Sequence, residues 1–183
     1  MFSSLFSCSP TTQDLYNKAE RLIDKKEYAK AIEIYNKIIR KNPGFQDAHY
    51  NKAWCYLQDS NFSKALDHFE YILRMKGIKD DSTQFIIEWN ADSPFASEKD
   101  KRQIPVDEIY YQIAITKYHM DSLPVAYRGF QRCITKDYLK SDCLIWQGLT
   151  WVKAGENTKA CELFSKAKYL SNDADAYIRD YCQ

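Results

Sequence analysis

The sequence predicts an all-α protein made of repeated helical hairpins, and three observations carry that prediction. Apolar residues recur at helical spacing along residues 27–43, which indicates a helix with one buried face. A small residue followed four positions later by an aromatic ring occurs four times, in the pairs Ala31 and Tyr35, Ala65 and Phe69, Ala126 and Phe130, and Ala160 and Phe164. The first two pairs, and again the last two, are 34 residues apart. A repeat of this length is typical of stacked helix pairs that share one continuous core.

Composition agrees with a helical protein and excludes several other classes. Five Gly and five Pro in 183 residues are too few for a turn-rich β-protein. A net charge of +1, from 26 basic and 25 acidic residues, gives no broad field to attract nucleic acid or a membrane surface. No apolar run reaches the roughly 20 residues that span a bilayer.

The period places four hairpins along the chain, each with a first helix (A) and a second helix (B). Asp14 or a neighbouring Thr is expected to cap the first A helix, and Pro43 ends the first B helix. Gly77 is expected to end the second B helix, Pro124 to lie in the first turn of the third, and Gly155 to form the last turn between an A and a B helix. The predicted segments are residues 12–79 for hairpins one and two, 107–174 for hairpins three and four, and 175–183 for a short helix that caps the open end.

An insert of 27 residues, 80–106, interrupts the period between the second and third hairpins. It is too short for another hairpin, yet it contains large apolar side chains at Phe85, Ile86 and Trp89. Either these side chains pack back locally, or they lean over the hairpins and contact a partner, because such groups are costly to leave in water.

The N-terminal tail, residues 1–11, is the one stretch with features of a targeting segment. Leu5 to Cys8 resembles a bacterial lipobox, in which the cysteine receives a lipid, but only seven residues without Lys or Arg precede Cys8. Either the natural start lies upstream and Cys8 is lipidated, which implies a membrane-anchored periplasmic or outer-membrane protein, or the tail is an ordinary end and the protein is cytoplasmic.

The hairpins resemble tetratricopeptide repeats. The small residue that this family places in the first helix falls on Ala19, Ala53, Ala114 and Gly148, and the family's second small residue and aromatic fall on the four pairs named above. The family's tryptophan in helix A is absent, and its proline after helix B occurs only at Pro43. The resemblance implies a right-handed superhelix of four hairpins whose A helices line a concave groove that binds proteins.

Mapped onto this chain, the concave face is aromatic and acidic. Tyrosine recurs as Tyr16, Tyr50 and Tyr111, which either forms a ladder along the groove or reflects how common tyrosine is at this position. Family members that clamp a C-terminal carboxylate use Lys, Arg and Asn, and of these five positions only Asn51 matches, so we do not expect a carboxylate clamp. The residues predicted to contact a partner are Tyr16, Asp47, Tyr50, Trp54, Glu108, Tyr111 and Ile115 in the groove, with Phe85, Ile86 and Trp89 in the insert.

No motif indicates catalysis, a metal or a cofactor. The three histidines are isolated in sequence, and phosphate-binding, zinc and nucleophile motifs are absent. Cys55, Cys133, Cys143 and Cys161 occupy positions where small buried apolar residues are expected, and unpaired thiols favour a reducing compartment. We therefore expect a non-enzymatic scaffold, without metal or cofactor, that binds an apolar and basic peptide or helix. The alternative is a structural subunit of a larger complex, associated with a membrane if Cys8 is lipidated.

Overall fold

The computed structural model describes residues 10–78 and 104–182 of the 183. Phe85, Ile86 and Trp89 of the insert, and Cys8 of the tail, lie outside these residues. The described part is all helical, with α1 Thr12–Asp24, α2 Tyr28–Lys41, α3 Gln46–Gln58, α4 Phe62–Met75, α5 Val106–His119, α6 Leu123–Thr135, α7 Lys140–Lys153, α8 Asn157–Lys168, a 3-10 turn Asn172–Ala174 and α9 Asp175–Tyr181. The odd-numbered helices from α1 to α7 are the A helices, and α2, α4, α6 and α8 are the B helices.

The helix ends follow from local chemistry. Thr11 and Asp14 form a capping box at the start of α1, in which each side chain bonds the other residue's backbone N–H. Pro124 lies in the first turn of α6, where its missing N–H is harmless. Gly77 follows α4 in the left-handed conformation, at a φ of 70°.

All four turns between an A and a B helix use the same backbone conformation. The residue at the equivalent place in each hairpin has positive φ, with values of 58° at Lys26, 57° at Ser60, 58° at Asp121 and 82° at Gly155. Only Gly155 is a glycine. Lys26, Ser60 and Asp121 therefore adopt a left-handed backbone conformation that most residues avoid. The four hairpins therefore share one turn as well as one sequence period.

The helices stack in chain order. Each A helix packs on the B helix of its own hairpin, and each B helix packs on the A helix that follows. This order continues from α4 to α5, so the second and third hairpins are neighbours although the insert separates them in sequence. The predicted all-α stack of four hairpins with a terminal helix is confirmed.

Close helix crossings explain the small residues of the repeat. Ala19 and Ala53 are fully buried and Ala114 nearly so, and a Cβ atom at Gly148 would lie 2.4 Å from Cε1 of Phe164. A larger side chain at such a crossing would force the helices apart. The aromatic residues of the repeat are fully buried at all four positions: Tyr35, Phe69, Phe130 and Phe164.

Helix α9 closes the C-terminal end of the stack. The ring of Tyr177 stacks on that of Phe164, with centroids 5.5 Å apart. A disulfide joins Cys161 of α8 to Cys182, so the expectation that Cys161 is an unpaired buried thiol is wrong. The two cysteines are 21 residues apart and meet only because α9 folds back on α8, which spacing alone does not reveal.

Among the described residues, none of the helices has the length and apolar character that crossing a membrane requires.

Candidate functional site

The seven residues predicted to line the groove lie on the A helices of the first three hairpins, and their row is called the inner face below. Tyr16 lies on α1, and Asp47, Tyr50 and Trp54 lie on α3. Glu108, Tyr111 and Ile115 follow on α5.

The three recurring tyrosines pack in the same way. Each ring meets edge to face the buried aromatic ring of its own B helix, with centroids 6.0 Å apart for Tyr16 and Tyr35 and 5.7 Å apart for Tyr50 and Phe69. Tyr111 and Phe130 repeat the contact at 6.5 Å. This edge-to-face geometry is the favoured one for aromatic pairs. Recurrence of tyrosine at this place therefore has a packing role inside each hairpin.

Each of these tyrosines also bonds the next hairpin through its hydroxyl. Asn51 Nδ2 donates to Tyr16 Oη, and Tyr50 Oη donates to the Glu108 carboxylate. Trp146 Nε1 on α7 donates to Tyr111 Oη over 3.2 Å. The tyrosines thus form a ladder in which every rung links one hairpin to its successor.

Glu108 is the most heavily bonded acceptor of this ladder. Its carboxylate accepts from Tyr50 Oη, from Tyr138 Oη and from Gln112 Nε2, the last over 3.0 Å. Burial raises the pKa of Tyr50 and the pKa of Tyr111 above the ordinary tyrosine value, so both hydroxyls stay protonated at neutral pH. Glu108 therefore joins α3, α5 and the α6–α7 connection.

Accessibility of the predicted groove residues changes along the stack. Tyr111 and Ile115 on α5 are buried, at 9% and 8% exposure. Tyr16, Tyr50 and Trp54 are half-buried, and on α1 the neighbouring Glu20 and Asp24 are exposed. A partner segment would therefore meet accessible side chains mainly on α1 and α3.

The predicted aromatic residues of the inner face pack against two different core clusters. Trp54 meets Tyr28 edge to face, with centroids 5.9 Å apart, and packs in the core cluster that the first hairpin shares with α3. Tyr50 and Tyr111 pack instead in the core cluster that is formed by the second and third hairpins and α7.

Trp146 is a residue of this face that the sequence reasoning missed. Its ring stacks on Phe130 at 6.0 Å and meets Tyr118 edge to face at 5.3 Å, so it covers the α5 portion of the inner face. Trp146 occupies the repeat position that holds Asn51 in the second hairpin and Gln112 in the third. The repeat register was the signal that would have identified it.

A pair of histidines lies between α3 and α4. His49 Nε2 lies 3.0 Å from the carbonyl oxygen of Pro43, which only accepts, so this nitrogen carries a proton. His49 Nδ1 is then the acceptor for His68 Nδ1, 3.3 Å away. Burial lowers the pKa of both imidazoles, to about 4 for His68, and Lys52 also disfavours the charged forms.

Across residues 10–78 and 104–182, no three His, Cys, Asp or Glu side chains come together as a metal site would require.

Residues 16–77 match the family model of the tetratricopeptide repeat. This stretch contains tetratricopeptide repeats. The match covers the two N-terminal hairpins, and the tyrosine ladder and the shared turns extend the same architecture to the other two. No curated protein sequence matches the chain significantly.

Solved tetratricopeptide repeat structures share the fold of the whole stack. A MamA protein is 18% identical, with a TM-score of 0.60 over 86% of this chain and 72% of its own. MamA 41-end from Desulfovibrio magneticus RS-1 is 16% identical, with a TM-score of 0.65 over 87% and 75%. YrrB, described as a TPR protein with an unusual peptide-binding site, is 16% identical, with a TM-score of 0.59 over 90% and 72%. At these identities the likeness shows the fold alone.

Proposed function

We propose that this chain is a non-enzymatic scaffold that binds a peptide or helix of a partner protein against the inner face of its A helices. The observation that carries the proposal is the accessible surface on α1 and α3, where half-buried aromatic rings lie beside exposed carboxylates. The peptide-binding site named for YrrB supports this class of function for the fold.

Within that face, we assign direct contact to Tyr16, Asp47, Tyr50 and Trp54. Tyr111 and Ile115 are buried, and Glu108 already accepts three hydrogen bonds, so we assign these three residues a supporting role beneath the partner. Partner contacts on α1 and α3 leave the ladder intact.

The chemistry of this surface favours a partner that is both apolar and basic. A half-buried indole such as Trp54 offers a large contact area at little entropic cost, as aromatic anchors in interfaces do. The exposed carboxylates of Glu20 and Asp24 would attract Lys or Arg on the partner and repel an acidic segment.

The proposal is tested by capture of partners from native extract, followed by titration of a captured partner against variants. Trp54→Ala should reduce affinity by at least tenfold. Trp151→Ala, on α7 and outside the surface on α1 and α3, should leave affinity unchanged. Helical content is measured for both variants by circular dichroism. Equal loss of affinity in the two variants would exclude the surface on α1 and α3.

The acidic part is tested separately by association rates. The double change Glu20→Lys and Asp24→Lys should slow association, most strongly at low salt, because steering charges act on the rate of encounter. Glu162→Lys, an exposed change on α8, is the matched control. Identical rates for both variants would remove the basic partner from the proposal.

One observation favours the alternative of a permanent subunit. Tyr169 and Leu170, after α8, are 89% and 54% exposed, which is unusual for adjacent large apolar side chains. A stoichiometric complex that survives Trp54→Ala but is lost on Tyr169→Ser with Leu170→Ser would establish this second role.

A further inference from the structure

Helix α9 continues the register of the A helices. Tyr177 lies 34 residues after Cys143, which is a buried residue of α7. The small-residue position of the A helices, filled by Gly148 in α7, falls on Cys182, 34 residues later. Helix α9 also packs on α8, as α7 packs on α6. It therefore occupies the place that an A helix takes on the B helix before it.

The attachment of α9 differs from that of the other A helices that follow a B helix. Helix α7 packs between two B helices, α6 and α8, whereas within residues 10–78 and 104–182 helix α9 packs on one B helix, α8. It has seven residues, and none of them is buried. A helix of this length is not stable by itself in water, because helix nucleation is costly. The position of α9 therefore depends on its contacts with α8.

Two tyrosines of α9 cover the buried ring of Phe164 on α8. Tyr177 stacks on it at a centroid distance of 5.5 Å, and Tyr181 lies tilted over it at 6.1 Å. Tyr181 itself remains 37% exposed. An ion pair also joins Lys168 of α8 to Asp175 of α9, but both side chains are largely exposed, so water screens it. These contacts shield the apolar edge of α8 without fully burying any part of α9.

The Cys161–Cys182 disulfide is the covalent link between α8 and the end of α9, with Cα atoms 5.6 Å apart. Both of its cysteines are half-buried, whereas Cys55, Cys133 and Cys143 are buried and unpaired. Thiol–disulfide exchange depends on access of the attacking thiolate to a sulfur atom, and partial exposure provides that access. The bond that joins α9 to α8 is therefore a chemically reversible one.

We propose that the Cys161–Cys182 disulfide is a redox switch that controls whether α9 covers α8. With the bond formed, α9 packs on α8 and shields Phe164. With the bond reduced, α9 detaches and uncovers the kind of apolar edge on which an A helix packs elsewhere in the stack. The inference is carried by the attachment of α9, an A-like helix held by one B helix and one disulfide where α7 has two B helices.

Two molecules of a small thiol reduce the bond. The thiolate of the first attacks one cysteine sulfur and breaks the S–S bond, so that the other cysteine leaves as a thiolate and takes up a proton. The thiolate of the second attacks the small-molecule sulfur of the resulting mixed disulfide and releases the remaining cysteine, which is also protonated. The protein disulfide is reduced to two thiols, and the two small thiols are oxidised to one small disulfide.

The test compares the full wild-type chain with and without reduced glutathione by hydrogen–deuterium exchange. Mass spectrometry of peptides prepared without a further reductant reports the state of the bond. On reduction, the backbone amides of α9 should exchange about tenfold faster or more, while those of α1 keep their rates. Binding of a hydrophobic dye should increase at the same time, because Phe164 becomes accessible.

The double change Cys161→Ser and Cys182→Ser is the bond-free comparison, and its α9 amides should exchange rapidly with or without glutathione. Cys55→Ala is the matched control and should respond as the wild type does, because Cys55 forms no disulfide. A bond that stays intact in glutathione would contradict the switch, as would α9 amides that stay protected after the bond is reduced. Loss of protection throughout α1 to α8 would show instead that the bond holds the whole stack.

Discussion

The inner face has an open half on α1 and α3 and a closed half on α5, which differ in how exposed their side chains are. On α1 and α3, Glu20 is exposed and Trp54 is half-buried, whereas the residue at the equivalent position of α5, Ile115, is buried. The tyrosine position shows the same trend, from half-buried Tyr16 to Tyr111 at 9% exposure. The repeated hairpin therefore does not by itself leave its inner face accessible.

The difference in exposure depends on the side chain of the following hairpin that contacts each tyrosine. Asn51 meets Tyr16 with a small amide, which leaves the ring partly accessible. Trp146 meets Tyr111 with an indole that also stacks on Phe130, which removes the area from solvent. One side chain at one repeat position thus decides whether the tyrosine stays accessible or belongs to the core.

The largest expected effect on stability comes from removing Trp146, the side chain that covers the closed half of the inner face. Trp146→Ala should lower the free energy of unfolding by about 2–4 kcal/mol, because it leaves a cavity beside Phe130 and unpairs Tyr111. Trp54→Ala, in the open half, should cost about 1–2 kcal/mol. Urea unfolding measures both, and equal losses would show that the two halves are packed alike.

Overpacking the helix crossings should affect both halves to a similar, smaller extent. Ala65→Leu between α3 and α4, and Ala160→Leu between α7 and α8, should each destabilise by about 1–3 kcal/mol, because both alanines are fully buried. Ala29→Leu, exposed on α2, is the matched control. An unchanged urea midpoint in the buried variants would contradict the repeat register.

Acid should weaken the open half selectively. The pKa of His68 is about 4 in the folded protein and near 6.5 when unfolded, so the unfolded chain binds the proton first. Stability should be constant above pH 6.5 and fall by about 1–2 kcal/mol as the pH decreases toward 4, the full shift being reduced because His68 is only half-buried.

The control for the acid effect is His68→Gln, whose amide can still donate to His49. Urea midpoints at pH 7 and pH 5 should differ less in this variant than in the wild type. A wild-type midpoint that does not change between these pH values would show that the pair is not held neutral.

The smallest expected effect is the loss of one ladder hydroxyl. Tyr50→Phe removes a donor to Glu108 and should cost about 1 kcal/mol, while the ring keeps its contact with Phe69. Tyr169→Phe removes a hydroxyl from a side chain that is 89% exposed and should have no effect on unfolding. A Tyr50→Phe protein as stable as the control would mean that the hydroxyl bonds do not hold the hairpins together.

The fold was readable from the sequence because its determinants are local and periodic. Small residues such as Ala65 are needed wherever two helices cross closely, and aromatic residues such as Phe69 fill the space beside them, so both recur with the hairpin. Helix ends were readable at Pro43, Gly77 and Pro124 for the same reason, since backbone geometry alone decides them.

The sequence by itself thus determined the all-α stack of four hairpins and the row of A-helix residues. Only the tertiary structure decided which of those residues stay accessible, because exposure of Tyr111 depends on Trp146, a residue of another hairpin. It also decided the pairing of Cys161 with Cys182 and the contact of His49 with His68. Each of these joins residues from different helices, and the distance between such side chains is set by how the helices pack.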